Sequence, residues 1–557
     1  MMFRNRSSYS PLFFLIILAP SHFLPAQDLS SFREADPLTV GGSASLQQVF
    51  FHSQGIKRNR PPYSILFTGN LTVALFGFDI PLSFMYANRQ ASFHQPFNRF
   101  SLTPQYKNLK TYIGNSSLVY SSYTLNGHVF LGAGAEVKIN KQLILSAMTG
   151  RLQKEIVQTD SALHENQAYK RVGRGVKIAF KQKTTTVEHI LFKANDVPTP
   201  ASAFITGIFP EDNIVMSVRG TTKILKYWEL SAEHALSLLT LNTLLSPKDR
   251  QVFFHANAST SRYRATKAHV LYQGPFSLGV HYERIDPGYK TLGAYYFNND
   301  IETIKVTFRG SVVKKLSLTS EIGTQRNNLQ QLKQSQTKRI ASSLSMGFSP
   351  NKIMSLQAGY SNFRSFTNNL APTLDPDPYI RLEHADTLQY RQLSSRGNLN
   401  ISFRPSPKNS FQLTFTYQDA VETRGIDGRF PGTTLYLSNV SYHRVMKNKN
   451  VKTGMAVTHT LQKQQGRLLQ YVGPTSFITL LLLDKKLKTS FYTTISKSFD
   501  PGVHTPINFI LRGNGHYAFS RKHAGSLRLS VIHRTSPGVE KGSSTEFTGT
   551  LGYQFKF

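Results

Sequence analysis

After residue 38 the dominant pattern in this chain is alternation of apolar and polar residues. Period two places successive side chains on opposite faces of an extended strand. Phe411, Leu413, Phe415 and Tyr417 alternate with Gln412, Thr414, Thr416 and Gln418. Met354, Leu356, Ala358 and Tyr360 alternate with Ser355, Gln357, Gly359 and Ser361, and Phe276, Leu278, Val280 and Tyr282 with Ser277, Gly279, His281 and Glu283. No stretch of comparable length holds a helical period. The expected fold is all-β.

The connections are of two sorts. Twelve are short and rich in Asn, Gly, Pro and Lys: Gly77-Phe78, Lys107-Asn108, Asn140-Lys141, Gln182-Lys183, Lys226-Tyr227, Gly274-Pro275, Lys314-Lys315, Pro350-Asn351, Pro407-Lys408, Asn448-Lys449, Asp484-Lys485 and Arg521-Lys522. Several have hairpin-turn chemistry, where Gly or Asn accepts positive φ and Pro presets a bend. Longer polar segments separate them, at 88–98, 154–166, 195–211, 236–262, 288–301, 327–337, 365–394 and 421–432. Short turns at one end and long loops at the other is the layout of a transmembrane antiparallel β-barrel. Twelve turns give 24 strands, and one more at each end (about 39–52 and 545–557) makes roughly 26, an even number that puts both chain ends on the short-turn side. Neither a linker nor a change of texture divides the chain into the separate domains that soluble sandwiches of this length require. Aromatic pairs near predicted strand ends, Tyr120 with Tyr123, Tyr227 with Trp228 and Tyr295 with Tyr296, suit interfacial girdles.

Composition narrows the class. No run reaches the length of about 18 apolar residues that a spanning helix needs. With no cysteine among 557 residues, disulfides, thiolate metal sites and cysteine nucleophiles are excluded. Residues 1–26 read as a secretory signal peptide: Arg4 and Arg6 form a positive start, Leu12–Ala19 an apolar core too short to span as a helix, and Ala26 a cleavage point. Residues 27–38 are then a short periplasmic tail, too short for the plug domain that precedes the barrel in TonB-dependent transporters, and 39–557 the barrel.

At the C-terminus Leu551, Tyr553, Phe555 and Phe557 share one strand face, and Phe557 ends the chain. This resembles the C-terminal β-signal of Gram-negative outer-membrane barrels, and the resemblance implies recognition by the barrel-assembly machinery. The run from Asn88-Arg89-Gln90 to Gln95-Pro96-Phe97-Asn98, with Tyr123-Thr124-Leu125-Asn126-Gly127-His128 and Leu131-Gly132-Ala133-Gly134, is similar to a stretch in large uncharacterised barrels of Bacteroidota. That likeness implies location in the cell outer membrane and fold, not an activity.

The net charge of +34 is unusual for such barrels. No basic helix, zinc module or RNA-recognition signature accompanies it, so nucleic acid is not an expected partner. The Lys and Arg residues are dispersed over turns and polar strand positions such as Arg528. A basic lumen favours anion passage. Basic groups at the outer rim, Lys57, Arg58 and Arg60 with Lys170, Arg171 and Arg174, are expected to meet the phosphates of outer-membrane lipid and lipopolysaccharide. The alternative is a solvated basic surface without function.

Catalytic constellations are weak. Gly127-x4-Gly132-x-Gly134 lacks the following Lys-Ser/Thr of a phosphate loop, and in a strand its glycines relieve crowding at a bend. His128, His189, His234 and His281 are the candidates for a rim hydrolase, but nothing in the sequence unites them. No catalytic, metal or cofactor residue is assigned, and no enzymatic activity is expected. The expected function is a channel, transport or export conduit, anion-preferring and gated by loops 236–262 or 365–394. The second of these holds Asp375, Asp377, Glu383 and Asp386. The competing reading is an occluded barrel that anchors a periplasmic or surface protein.

Overall fold

The computed structural model describes residues 38–56, 60–76, 78–88, 99–157, 167–200, 205, 207–247, 254–333, 335–369, 389–424, 428–446, 450–464, 466–500, 506–535 and 542–557. They form one sheet of 27 antiparallel strands, β1 (Leu38–Gln54) to β27 (Ser543–Lys556), that follow one another round the sheet in chain order. The sheet closes on itself, because β1 also pairs with β27 in register from Ser43↔Lys556 to Gln54↔Thr545. Closure removes both edges and satisfies the ladder all the way round.

Twenty-seven strands make a barrel of 26. Strands β4 (Arg99–Leu102) and β5 (Gln105–Tyr106) both lie between β3 (Phe78–Ala87) and β6 (Leu109–Val119). They are two pieces of one position, broken at Thr103-Pro104, where proline has no N–H for the ladder. The even number read from the sequence is therefore borne out, and ten of the twelve short turns join consecutive described strands, while Gly77 and Asn448-Lys449 lie outside the described residues. Strands spaced about 4.8 Å apart and tilted by about 40° give 26 of them a circumference of roughly 160 Å.

Non-glycine residues close several of these turns in the left-handed region: Lys107 at φ 49°, Lys183 at 35°, Leu225 at 58°, and Leu483, Asp484 and Lys485 in succession. Primed hairpin turns require this geometry because it matches the twist of the strands. Some loop boundaries move. Residues 236–240 belong to β12 (Trp228–Thr240) and 260–262 to β13 (Thr260–Gln273), while 365–369 belong to β18 (Met354–Asn369) and 389–394 to β19 (Gln389–Ser406). The acidic residues at 375–386 lie outside the described residues.

Alternation sorts the faces. Leu131, Leu191, Met216, Val218, Val270, Val280, Leu413, Leu527 and Leu551 are exposed and point outward. At the short-turn end the outward face carries touching aromatics: Trp228 with Tyr272 (5.2 Å between centroids), Tyr272 with Phe276 (5.1 Å) and Phe276 with Phe308 (5.8 Å). An apolar outer belt rimmed by aromatics is a surface for hydrocarbon. The C-terminal residues Leu551, Tyr553, Phe555 and Phe557 occupy this outward face beside the seam, with Tyr553 bonded to His523 (2.6 Å) and Phe557 N–H to the Gly42 carbonyl (3.0 Å).

Candidate functional site

Among the described residues, the interior is filled on one side only. All but five of the buried non-glycine side chains among the described residues lie between Ser116 and Asn328. Two loops at the long-loop end account for the two apolar clusters in it, and they leave the wall eight strands apart.

The first, residues 120–125, follows β6. A register shift between Ser117 and Val119 re-aims the chain inward. Ser121 then organises a tight turn, its hydroxyl meeting Thr124 Oγ1 (3.0 Å) and accepting from the Tyr123 N–H (3.2 Å). The second, residues 286–300, joins β14 (Phe276–Ile285) to β15 (Ile301–Val313) and opens with Asp286-Pro287-Gly288-Tyr289. The Tyr289 N–H donates to Asp286 O (3.1 Å), and Gly288 sits at φ 81°, the type II geometry that proline and glycine favour at these places.

The loops meet over the inner wall. Tyr289 Oη donates to Tyr123 O (2.8 Å), Thr291 Oγ1 to Thr124 O (2.6 Å), and the Asn126 N–H to Gly293 O (2.9 Å). Leu125 and Leu292 pack on Phe130, Met148, Ile190 and Phe192, while Tyr123 and Tyr289 pack on Val215, Ala235, Ala265 and Ile285. Tyr295 stacks on His128 at 4.0 Å. Each large side chain so buried contributes roughly 1.5–3 kcal/mol.

Beneath this apolar seam runs a ladder of opposite charges. Strict register places Glu188, Arg219, Glu233, Lys267 and Glu283 side by side on five successive strands. Arg219 lies 3.6 Å from Glu188, and Lys267 lies 2.9 Å from Glu233. Lys177 and the Lys305–Glu321 pair (3.0 Å) extend it on either side. Alternating sign across neighbouring strands is the favourable pairing in a sheet. The ladder also holds the loops, since Lys267 Nζ donates to Ser122 Oγ (2.6 Å) and Tyr123 Oη to Glu283 Oε1 (2.7 Å). Below the seam a cavity of about 450 Å³ is lined by Arg219, Glu233, Lys267, His269, His281 and Lys305. Burial pushes the Tyr120 phenol up to about 12. Burial first, then the neighbouring carboxylates, pushes Tyr123 and Tyr289 up as well.

The remaining arc is different. On β17 (Ser335–Phe348) through β27 the inner-face residues Arg339, Arg396, Arg404, Lys452, Lys488, Arg512 and Arg528 are exposed, as are Gln357 and Asn398. Their sequence neighbours Leu399, Phe403, Val451, Met455, Leu487, Leu511, Leu527 and Leu529 take the outward face. The one ion pair on these strands among the described residues is Arg534–Glu546 (2.6 Å). The packed arc is charge-balanced, and the open arc is basic.

Some expectations are corrected, and others fall outside the described residues. Tyr120 and Tyr123 are not girdle aromatics; both are buried under the in-folded loops. Tyr295 and Tyr296 lie within loop 286–300 rather than at a strand end. The in-folding loops among the described residues are 120–125 and 286–300, whereas 248–253 and 370–388 lie outside them. Of the six rim cations, Lys57 and Arg58 fall outside the described residues, and the Arg60 guanidinium covers the Phe51 ring at 4.6 Å. Period two on β9 (Lys170–Gln182) separates the others. Lys170 and Arg174 face outward, but Arg171 faces inward, bonded to Asp196 (2.7 Å) and Glu211 (3.1 Å). Glu211 also holds Lys290 (2.6 Å), so Arg171 helps anchor the second loop.

The glycine run behaves as a crowded strand. A Cβ at Gly132 would lie 2.1 Å from Thr149 O, and Gly127 takes φ 67°. The four histidines share no site: His128 and His281 face inward, while His189 and His234 face outward, the latter bonded to Thr266 (2.8 Å).

No protein-family model matches the chain, and no curated protein matches it. Solved structures of similar fold include a mutant of the ferric enterobactin receptor PfeA of Pseudomonas aeruginosa, at 10% identity over 93% of this chain and 80% of that one, with a TM-score of 0.44. The Pseudomonas aeruginosa protein OccK10 matches at 11% identity over 58% and 93%, with a TM-score of 0.34. The FrpB iron transporter of Neisseria meningitidis matches at 9% identity over 96% and 83%, with a TM-score of 0.36.

Proposed function

We propose that this chain is an outer-membrane channel of a Gram-negative bacterium, passing solutes along the open arc of a half-filled lumen with a preference for anions. The observation that carries the reading is the one-sided burial. Neither loop is large enough to fill a barrel of roughly 160 Å circumference, and the inner face opposite them is polar and exposed. Exposed arginines and lysines on that arc raise the local anion concentration. In this reading residues 1–26 direct export, the C-terminal strand serves barrel assembly, and the docked loops set the bore. The likeness of residues 88–134 narrows the expected source to Bacteroidota.

The test is single-channel recording of the purified chain in a planar bilayer under a salt gradient. Large steps with an anion-selective reversal potential are expected. A folded, inserted and silent barrel would defeat the channel reading and favour an occluded anchor for a partner protein.

A further inference from the structure

The outward face carries a charge pattern that solute passage does not use. At the long-loop end, strict register lines up Thr266, Arg284, Glu302, Arg326 and Lys338 across β13, β14, β15, β16 (Leu316–Asn327) and β17. Below them, toward the short turns, the same faces carry exposed Val270, Val280, Ile304, Ile322 and Ile340. Arg262 and Arg264 continue the patch on β13, both exposed. The acidic groups within it are Glu302 and Asp286, the latter accepting from the Arg264 N–H (2.9 Å). Five cations against two carboxylates leave a surplus of three positive charges.

Height matters here. On β14 the outward column runs from Phe276 to Arg284, nine residues. At about 3.3 Å per residue and a tilt near 40° they cover roughly 20 Å of membrane normal, close to the height of the apolar band of such barrels. The cations therefore stand where hydrocarbon ends and headgroups begin.

Their geometry is prepared. Glu302, largely buried, accepts from Arg326 (2.5 Å) and from Tyr282 Oη (3.0 Å), and lies 3.5 Å from Arg284. It fixes two guanidiniums that remain about half exposed. Behind them the wall is stiffened by the packed loops, with Ile285 in the buried cluster and Tyr263 and Ile301 against it. Across the opposite arc, outward cations at this height among the described residues are isolated, as with Lys463 and Lys497. Fixed, half-desolvated guanidiniums match the bidentate geometry of phosphate.

We propose that the row Arg284–Arg326–Lys338, flanked by Arg262 and Arg264, is a binding site for the phosphorylated headgroup of an outer-leaflet lipid whose chains lie on the apolar columns below. This rests on the membrane reading above. The test inserts the full chain into phosphatidylcholine bilayers containing equal amounts of a phosphorylated diglucosamine lipid and its dephosphorylated form, and counts the lipids retained by native mass spectrometry.

The wild type should retain the phosphorylated form about tenfold over the other. The triple variant Arg284→Gln, Arg326→Gln, Lys338→Gln should retain both equally. The charge-preserving pair Arg284→Lys, Arg326→Lys should keep an intermediate preference, and Lys463→Gln with Lys497→Gln the full one. Equal retention by the wild type, or an undiminished preference in the triple variant, overturns the proposal. So does displacement of the lipid by millimolar inorganic phosphate, which would mark a site for the free anion. Failure of the chain to insert would instead overturn the membrane reading on which the site rests.

Discussion

At the scale of single residues, Glu233 has the most to lose. Its side chain is closed to solvent, paired with Lys267 at 2.9 Å and accepting from Ser217 at 2.9 Å. Removing one partner of a buried pair leaves the other charge uncompensated, at about 3–5 kcal/mol. Glu233→Ala should therefore lower the stability of the folded barrel by about 3 kcal/mol, read as the urea midpoint in micelles. A loss under about 1 kcal/mol would mean that Lys267 recovers its hydration in the lumen. The buried tyrosines give a pH dependence. Tyr123 and Tyr289 hold their protons when docked more tightly than the ordinary phenol at 10.0. A group whose docked value is raised adds stability that is complete below 10 and is lost as pH rises beyond it. The loops should thus release in alkali, with conductance rising between pH 10 and 12 and returning on neutralisation; a flat profile would contradict their buried position. Neither residue is legible in the sequence as a plug residue. Tyr120-x-x-Tyr123 looks like a girdle pair because hydropathy records that a ring is apolar, not which side of a wall it takes. Lys170, Arg171 and Arg174 look like one cluster until alternation assigns Arg171 to the opposite face.

At the scale of elements, the hairpin train is legible because its signals are local. A turn such as Lys107-Asn108 or Gly274-Pro275 is set by its own few residues, and a strand by its own alternation. Loop docking is a long-range event: Tyr123 and Tyr289, joined by a hydrogen bond, are 166 residues apart. Only the Asp286-Pro287-Gly288 turn carries a local trace of the in-folding, and it declares a bend without a destination. Gly293 tests the docking most directly. A Cβ there would lie 2.6 Å from Thr124 O and 2.7 Å from Phe192 Cε1, within the seam between the loops. Overpacking of this kind costs about 1–3 kcal/mol, and it falls on the seam, not on the backbone ladder. Gly293→Ala should leave the barrel folded but loosen loop 286–300, seen as a larger single-channel conductance and faster proteolysis within that loop. Unchanged conductance with intact folding would separate the loops from control of the bore.

For the whole molecule, the net charge of +34 says less than its distribution. On the packed arc Lys177, Arg219, Lys267 and Lys305 face Glu188, Glu233, Glu283 and Glu321, four against four, and their fields largely cancel at the distance of a passing ion. On the open arc Arg396, Arg404, Lys452, Lys488, Arg512 and Arg528 have no such partners among the described residues, so their field reaches into the water they line. Substitution by neutral residues should then have opposite effects on the two arcs. Arg512→Gln with Arg528→Gln, on neighbouring strands near one another in register, should shift the reversal potential toward zero under a salt gradient with little change in the urea midpoint. Arg219→Gln should lower the stability by about 1 kcal/mol, read as a lower urea midpoint, because Glu188 and Glu233 lose their shared neighbour, and leave selectivity nearly unchanged. Screening sharpens the contrast, since the Debye length falls from about 10 Å at 0.1 M salt to about 3 Å at 1 M. Selectivity carried by the open arc should fade over that range, while the stability held by close pairs on the packed arc persists. If Arg219→Gln moved the reversal potential as far as the open-arc pair does, the ions would be passing along the packed wall.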